Sequence, residues 1–308
     1  MKVLITGATG FIGKHLVDVL LQQDIKVIAV SRNKKAAREE LPAVVQCIDY
    51  DSNDLRSAML SSDAVINLAG DSISGSRWTN KKKASVMNSR LNTAQRLLGV
   101  LKSIDKPDIT FLQASAIGYY GHREELNLHE ESAPGAGFLS EVVKKWESHM
   151  PDVQQYAKRS VTLRIGVVLG KEGGMLKEMI KQSKRGAAGI AGNGMQWLSW
   201  IHIYDLVHAI YYLLIHEKAS GVYNLVAPNP ARQKTFSSLL SKYTRRKLQL
   251  PLPAFLIKLI LGEMGRELIL SGQHVSSSEL VRQGFMFKYQ TLDLAMKDLI
   301  RNNSGELA

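Results

Sequence analysis

The chain has 308 residues, 45% hydrophobic and 22% charged, a balance that excludes a disordered chain and leaves enough apolar side chains for a sizeable core. A length beyond the ~100 to 200 residues of an ordinary domain fits one large α/β unit with an appended lobe. The single cysteine, Cys47, excludes an internal disulfide and a cysteine metal site, while a net charge of +12 leaves room for an anionic partner.

The basic residues are scattered. The clusters Lys81, Lys82, Lys83 and Arg245, Arg246, Lys247 are short and carry no interleaved aromatics, so a solvated surface is expected rather than a nucleic-acid site. The apolar stretches 206–215 and 254–261 are interrupted by His208 and Lys258 and fall short of the ~20 residues that span a bilayer. Met1 and Lys2 run straight into a strand-like segment without the pattern of a secretory leader. The expectation is a cytoplasmic protein without membrane attachment.

Residues 2–6 (KVLIT) form a β-rich run, Ile12, Leu16, Val19 and Leu20 recur at helical spacing over 12–23, and 26–30 (KVIAV) form a second apolar run. Further apolar runs at 44–48, 64–68, 110–113 and 161–163 alternate with polar or helical stretches. Continuous apolar strands belong to a parallel sheet covered on both faces, so the fold class is α/β, a Rossmann doubly wound sheet. From Gly170 glycine becomes dense (Gly173, Gly174, Gly186, Gly189, Gly192, Gly194), which reads as loops around a site. A helix over 204–215 and a late strand over 222–226 come next. Pro228, Pro230, Pro251 and Pro253 then lead into a largely helical segment. The expected division is a cofactor-binding Rossmann domain over 1–230, with substrate-side loops at 171–200, and a smaller, mostly helical cap lobe over 231–308.

The segment TGATGFIG, Thr6 to Gly13, places Gly7, Gly10 and Gly13 between the first strand and the first helix. The spacing alone is weak, but the context gives it a mechanism. Glycine permits the tight turn and close backbone approach, and the helix N-terminus offers free N–H groups to a pyrophosphate. Gly7, Thr9, Gly10, Phe11, Ile12 and Gly13 are therefore expected to contact a dinucleotide. An NAD-binding fold carries an Asp or Glu at the end of the second strand for the ribose 2′-hydroxyl. Here Ser31, Arg32, Asn33 and Lys34 stand there. Arg32 can pair with a 2′-phosphate, beside Ser31, which points to NADP(H); an exposed loop arginine is the alternative. Asp49 is either an adenine acceptor or a turn cap.

TGATGFIG, NLAG (Asn67 to Gly70) and SAIGYYG (Ser115 to Gly121), in that order, resemble the extended short-chain dehydrogenase/reductase superfamily of the nucleotide-sugar epimerases. RWT from Arg77, Ser89 with Arg90, Trp146 with Glu147, LRIGVVLG from Leu163, SWIHIYDL from Ser199 and GFMFKY from Gly284 resemble its atypical, YfcH-like epimerase-family branch, over nearly the whole chain. The resemblance implies NADP(H) along the C-terminal edge of a Rossmann sheet and a small-molecule substrate between sheet and C-terminal lobe. It adds Leu68, Ala69, Gly70, Arg90 and Val168 as cofactor contacts, although ordinary core packing also explains the apolar ones.

The superfamily uses a Tyr-x-x-x-Lys pair one helical turn apart, with a serine orienting the substrate oxygen. Counted from Trp146 and Glu147, the pair falls on Leu139 and Val143; counted from Tyr120 and Gly121, the serine falls on Ala116. The chain's one Tyr-x-x-x-Lys, Tyr243 to Lys247, lies outside that helix. Ser115 and Tyr119 remain as catalytic candidates, against a packed or surface role, and Lys144 and Lys145 read better as a solvated face than as a replacement lysine. His202 is a proton-donor candidate or, preferably, a scaffold element. Ala187 and Ala188 stand where the branch has paired glycines. No metal-ligand spacing occurs. Two functions follow: an NADP(H)-dependent oxidoreductase or epimerase-like enzyme acting on a small polar substrate, or a non-catalytic NADP(H)-binding sensor or scaffold. Either is compatible with a homo-oligomer.

Overall fold

The computed structural model describes residues 1–74, 77–104, 108–123, 125–184, 189–245 and 249–301. The chain begins with β1 (Lys2–Thr6), α1 (Phe11–Gln22), β2 (Lys26–Val30), α2 (Lys34–Glu40), β3 (Gln46–Ile48), α3 (Ser52–Leu60) and β4 (Ala64–Asn67). Next come α4 (Asn80–Ser103), β5 (Thr110–Ala116), a 3-10 turn (Ile117–Tyr120), β6 (Asn127–Leu128), α5 (Phe138–Glu147), α6 (Met150–Tyr156), β7 (Arg159–Ile165) and β8 (Val167–Leu169). Then follow α7 (Gly174–Lys184), β9 (Gly189–Ala191), β10 (Trp197–Leu198), β11 (Trp200–His202), α8 (Ile203–Ile215) and β12 (Gly221–Leu225). The last part holds β13 (Ala231–Arg232), α9 (Gln233–Thr244), β14 (Gln249–Leu252), α10 (Ala254–Leu268), β15 (His274–Val275), α11 (Ser278–Arg282) and α12 (Leu292–Met296).

Seven strands form one parallel sheet in the order β12-β7-β5-β4-β1-β2-β3. The order reverses between β1 and β4, and in open α/β sheets a ligand crevice opens at such a switch point, beyond the carboxyl ends of the strands. The apolar runs become strands because both faces are covered. On one side α1 and α8 bury Leu16, Val17, Leu20, Leu206, Ile210 and Leu213; on the other α3, α4 and α6 bury Leu55, Met59, Leu97, Leu101 and Val153. The expected α/β class and its strands are present, with β7 running from Arg159 to Ile165, beyond the expected 161–163.

Beyond the sheet, short strand pairs stitch the later segments to the loops. β10 pairs with β13, β14 with β9 and β15 with β6. A third apolar cluster joins Leu169, Leu176 and Trp200 to Phe236 and Leu240 on α9 and to Leu292 and Met296 on α12. One expectation needs correction: the glycine-dense stretch over 171–200 is not all loop. After Gly174 it winds into α7, because Leu176, Met179 and Ile180 recur at helical spacing and pack into that third cluster.

Candidate functional site: the carboxyl edge of the sheet

The glycine loop is built by contacts that leave no room for side chains. Gly7 has φ +74, and a Cβ there would lie 2.8 Å from the backbone carbon of Leu68. A Cβ at Gly13 would lie 2.7 Å from the Cα of Ala8 and closer still to the Gly7 carbonyl oxygen, so this turn of α1 sits directly against the loop. Gly10 is the N-cap, with no side-chain cap and no acidic residue in the first turn. The first-turn N–H groups, at Phe11, Ile12 and Gly13, are therefore open to an anion. Thr9 and Gly10 lie at the surface beside them, and Ile12 packs partly on the core. The Phe11 ring seats on Gly170, Gly173 and Gly174: Cβ atoms at Gly170 or Gly173 would come 2.5 Å from its ring atoms. The paired glycines after β8 thus have a packing role that spacing alone does not disclose.

A buried polar ladder crosses the strand ends at this edge. Thr6 Oγ1 donates to Asn67 Oδ1 at 2.6 Å, and Asn67 Nδ2 donates to Gln113 Oε1 at 2.9 Å, across registered neighbours on β1, β4 and β5. The Ala69 N–H also reaches Asn67 Oδ1, at 3.3 Å. The ladder fixes Leu68, Ala69 and Gly70 over the glycine loop. Arg90 lies against Gly70, where a Cβ would meet its guanidinium carbon at 3.0 Å, and its Nη1 donates to the carbonyls of Asp71 and Val86, each at 3.0 Å. Its guanidinium also stands over the Trp146 ring, 5.0 Å from the centroid. Burial pulls the Arg90 pKa down to about 10, against the opposing effect of the nearby Asp71 carboxylate, which Lys82 and Ser85 hold at 2.8 Å each. Val168 lies half-buried on β8, in register with Ile201, against the main core.

At the end of β2, Asn33 Oδ1 caps α2 by accepting from the Ala36 N–H at 3.0 Å, and the Ser31 hydroxyl donates to the Asn33 carbonyl at 3.2 Å. Arg32 is exposed and forms no hydrogen bond or ion pair among the described residues. It faces Tyr50, whose phenol is pushed above its usual range by burial, against the opposing effects of Thr93, Arg32 and Arg96. Asp49 Oδ1 accepts from the Asp51 N–H at 2.9 Å, as a turn cap does.

The two catalytic candidates are engaged by the fold. Ser115, buried at the end of β5, donates its hydroxyl to Glu147 Oε1. Glu147 in turn holds Arg164 in a two-pronged pair, at 2.9 Å from Nε and 2.8 Å from Nη2. The Arg164 Nη1 donates to the Tyr120 hydroxyl at 3.0 Å, and that hydroxyl donates to Asn224 Oδ1 at 2.7 Å. This network holds Arg164 charged, its pKa raised above the ordinary arginine value by Glu147 and Tyr120 against the cost of burial. Tyr119 lies flat beside it, with the Arg164 guanidinium 3.6 Å from its ring centroid, and its phenol makes no hydrogen bond among the described residues. Leu139 and Val143 of α5 pack on Gly118, where a Cβ would stand 3.3 Å from Leu139 Cβ and 3.9 Å from Val143 Cγ2. Lys144 and Lys145 point to solvent from the same helix.

His202 is a scaffold element. Its Nδ1 caps α8 by accepting from the Tyr204 N–H at 3.0 Å, its ring stacks on Tyr289, and Nε2 stands 3.3 Å from Asp298. Burial pulls its pKa down to about 4, outweighing the nearby carboxylate, so the ring is neutral at pH 7. Asp205 accepts from the N–H groups of Lys288 and Tyr289, each at 2.9 Å, so two of the sequence motifs bind each other. Tyr243 donates to Asp293 at 3.0 Å; Lys247, Ala187 and Ala188 lie outside the described residues. No group of three or more metal-ligating side chains, and no helix long and apolar enough to cross a membrane, occurs among the described residues.

Sequence inspection missed the Thr6, Asn67 and Gln113 ladder and the Ser115, Glu147 and Arg164 chain. The signal for both was present: polar or charged residues inside runs that must be buried, NLAG, TFLQASA and LRIGVV, have to be paired.

The model of the NAD dependent epimerase/dehydratase family matches residues 3–225, and a domain of unknown function, DUF1731, matches residues 252–299. Epimerase family protein YfhF of Bacillus subtilis (strain 168) is 36% identical over 301 residues, covering 97% of this chain and 98% of the relative. The chloroplastic SDR39U1 homolog of Arabidopsis thaliana is 35% identical over 305 residues, covering 98% and 87%. Among solved structures, human epimerase family protein SDR39U1 (isoform2) with NADPH superposes with a TM-score of 0.87 at 30% identity, covering 98% of this chain and 100% of that one. A UDP-glucose 4-epimerase from Thermotoga maritima shares the fold alone, with a TM-score of 0.80 at 19% identity. On the family match and these relatives, the chain belongs to the NAD dependent epimerase/dehydratase family, as an NAD(P)-binding Rossmann protein carrying a DUF1731 segment.

Proposed function

We propose that the chain binds NADP(H) and acts as an oxidoreductase on a small molecule held between the sheet edge and a cap lobe formed by residues 231–308. The observation that carries the cofactor reading is the pairing of an uncapped helix α1, entered through Gly7, Gly10 and Gly13, with Arg32, an arginine that no carboxylate claims at the end of β2. The residues fit the group: a bulkier loop would collide with Leu68, and an acidic residue in the first turn would repel a pyrophosphate. The NADPH in the human relative supports the same choice of cofactor.

In this reading the first turn of α1 binds the pyrophosphate, and Ser31 with Arg32 holds the 2′-phosphate. Leu68, Ala69, Gly70, Arg90 and Val168 line the sheet-edge side, with Arg90 supplying unspent donors beside Gly70. The bound nicotinamide supplies a hydride donor or acceptor. Leu139 and Val143, at the positions of the superfamily's Tyr and Lys, keep water from that face and exchange no proton. Of the two catalytic candidates, Tyr119 is the one whose hydroxyl is unspent among the described residues, and the Arg164 guanidinium lies over its ring; Ser115 acts by holding Glu147.

The test combines affinity with turnover. Arg32→Asp is expected to weaken NADPH by more than tenfold and NADH far less; an unchanged preference between the two sinks the assignment. With a panel of carbonyl compounds, the loss of reduced-nicotinamide absorbance is expected to stop in Tyr119→Phe. The apolar pair Leu139 and Val143 also favours a second reading, a non-catalytic NADP(H) sensor or scaffold. Tight binding without oxidation across the panel selects it.

A further inference from the structure

Exposed apolar residues scattered singly are ordinary on a protein surface, but on α10 they gather. Phe255, Leu259 and Ile260 are 67%, 71% and 60% exposed, and Leu252, at the end of β14, precedes them with 46%. Phe255 and Leu259 lie one helical turn apart, opposite the buried Ile257, and Ile260 borders them, so they form one strip. The core makes no use of it. Helix α10 is anchored by its other face, through Ile257 and through Ala254, whose Cβ lies 3.6 Å from where a Cβ on Gly192 would be. Its second half is held by Lys83, which pairs with Glu263 at 2.8 Å, and by Glu267, which accepts from the N–H groups of Phe138 and Leu139. Between the halves Gly262 takes φ +60 and bends the helix, so the second half turns in toward α5 while residues 254–261 present the strip to solvent.

The charges around the strip are mostly of one sign. Lys258 lies within it, and Arg77 stands at its far end, with Nε and Nη2 each 3.6 Å from where a Gly262 Cβ would be. At the near end the last turns of α7 and α9 are joined by the Ser183 and Thr244 hydroxyls at 2.8 Å. Both chains then lead into the paired strands β9 and β14, from which α10 starts, and this end carries Lys181, Lys184 and Arg245. All five cations are exposed, and none makes an ion pair among the described residues. The carboxylates of α7, α9, β14 and α10 are Glu178, Glu263 and Glu267. Glu263 and Glu267 are engaged inside the protein, which leaves Glu178 facing outward on these elements.

A strip that is apolar along its middle and cationic at its borders matches the surface of an anionic bilayer, where headgroups meet the cations while aromatic and aliphatic side chains enter the acyl boundary. A polyanion such as RNA answers the charge but leaves Phe255, Leu259 and Ile260 in water, and a second copy of the chain would set the same cations against each other. We propose that the α10 face docks the chain reversibly on an anionic lipid surface. No described helix is long and apolar enough to cross a membrane, so the contact is peripheral, with residues 254–261 lying in the interface plane. It revises the absence of membrane attachment expected from the sequence, and it stands independently of the cofactor reading.

Co-sedimentation of the full chain with vesicles tests this, one set of phosphatidylcholine alone and one with about 30 mol% phosphatidylglycerol. The chain is expected to partition at least about tenfold more strongly onto the phosphatidylglycerol vesicles, and to lose most of that preference in about 0.5 M NaCl. The double substitution Phe255→Ser, Leu259→Ser and, separately, Lys258→Glu are each expected to weaken partition by about tenfold. Val44→Ser, at an exposed valine between α2 and β3, is expected to leave it unchanged. Urea midpoints equal to that of the parent chain, expected because these side chains are exposed, show that the loss is one of surface and not of folding. Failure to bind either vesicle set overturns the proposal. So does vesicle binding that the double substitution leaves intact, since the contact is then one of charge alone, which RNA would satisfy equally. A parent chain that binds no vesicle and sediments as a dimer, with the double variant a monomer, also overturns it, because the strip is then an interface between two copies.

Discussion

Three glycines in one loop do different work. Gly13 is where α1 touches the loop backbone, and no side-chain movement relieves a Cβ that close to Ala8 and the Gly7 carbonyl; Gly10 would meet only the Gly7 oxygen, at 3.1 Å. Gly13→Ala is therefore expected to cost several kcal/mol, roughly 2 to 5, in urea unfolding, and Gly10→Ala no more than about 1. Equal losses would contradict the close-approach account. The close backbone approach at Gly7 and Gly13 was legible because a glycine motif between strand and helix encodes local backbone geometry. The bond from Ser115 to Glu147 was not, since it joins residues 32 positions apart and depends on where α5 crosses the sheet. For the same reason Ser115 stood in the sequence as a catalytic candidate.

Among the elements, α8 carries a titratable cap. His202 has a pKa near 4 in the folded chain against an ordinary 6.5, so as pH falls the unfolded chain takes up this proton first. The stability it contributes is fully present above about pH 6.5 and is lost as pH falls toward 4, by on the order of 3 kcal/mol. His202→Asn keeps an acceptor for the Tyr204 N–H and removes the titration, so its urea midpoint is expected to change less between pH 6.5 and 4 than that of the parent chain. Parallel curves would show that the imidazole is not held neutral by burial. The strands and α1 were legible from apolar runs and 3.6-residue spacing. Helix α7 was obscured by the glycines around it, because its apolar stripe faces α9 and α12, which only the tertiary fold supplies.

For the whole molecule, the question is how the C-terminal segment is tied to the sheet. Glu267 reaches from α10 to the first N–H groups of α5, and Gly137, at φ +107, leaves room for its carboxylate, 2.9 Å from where a Cβ would be. Glu267→Ala is expected to raise amide hydrogen exchange at Phe138 and Leu139 and along α10, with β1, β4 and β5 unchanged. Exchange unaltered on both helices would mean that the Lys83 to Glu263 pair and apolar packing suffice. The short strand pairs that join the later segments to the earlier loops were not legible in the sequence, since segments of two or three residues carry no periodicity.

The central claim is that the sheet edge is built for NADP(H), and one measurement reaches it without depending on any reaction. Fluorescence titration of the unmodified chain with NADPH and with NADH, at one ionic strength, compares two ligands that differ only at the 2′-position, where Arg32 stands open. NADPH is expected to bind at least about tenfold more tightly, a difference of about 1.4 kcal/mol for one charge-assisted contact at an exposed site. Equal affinities, or tighter binding of NADH, would contradict the account.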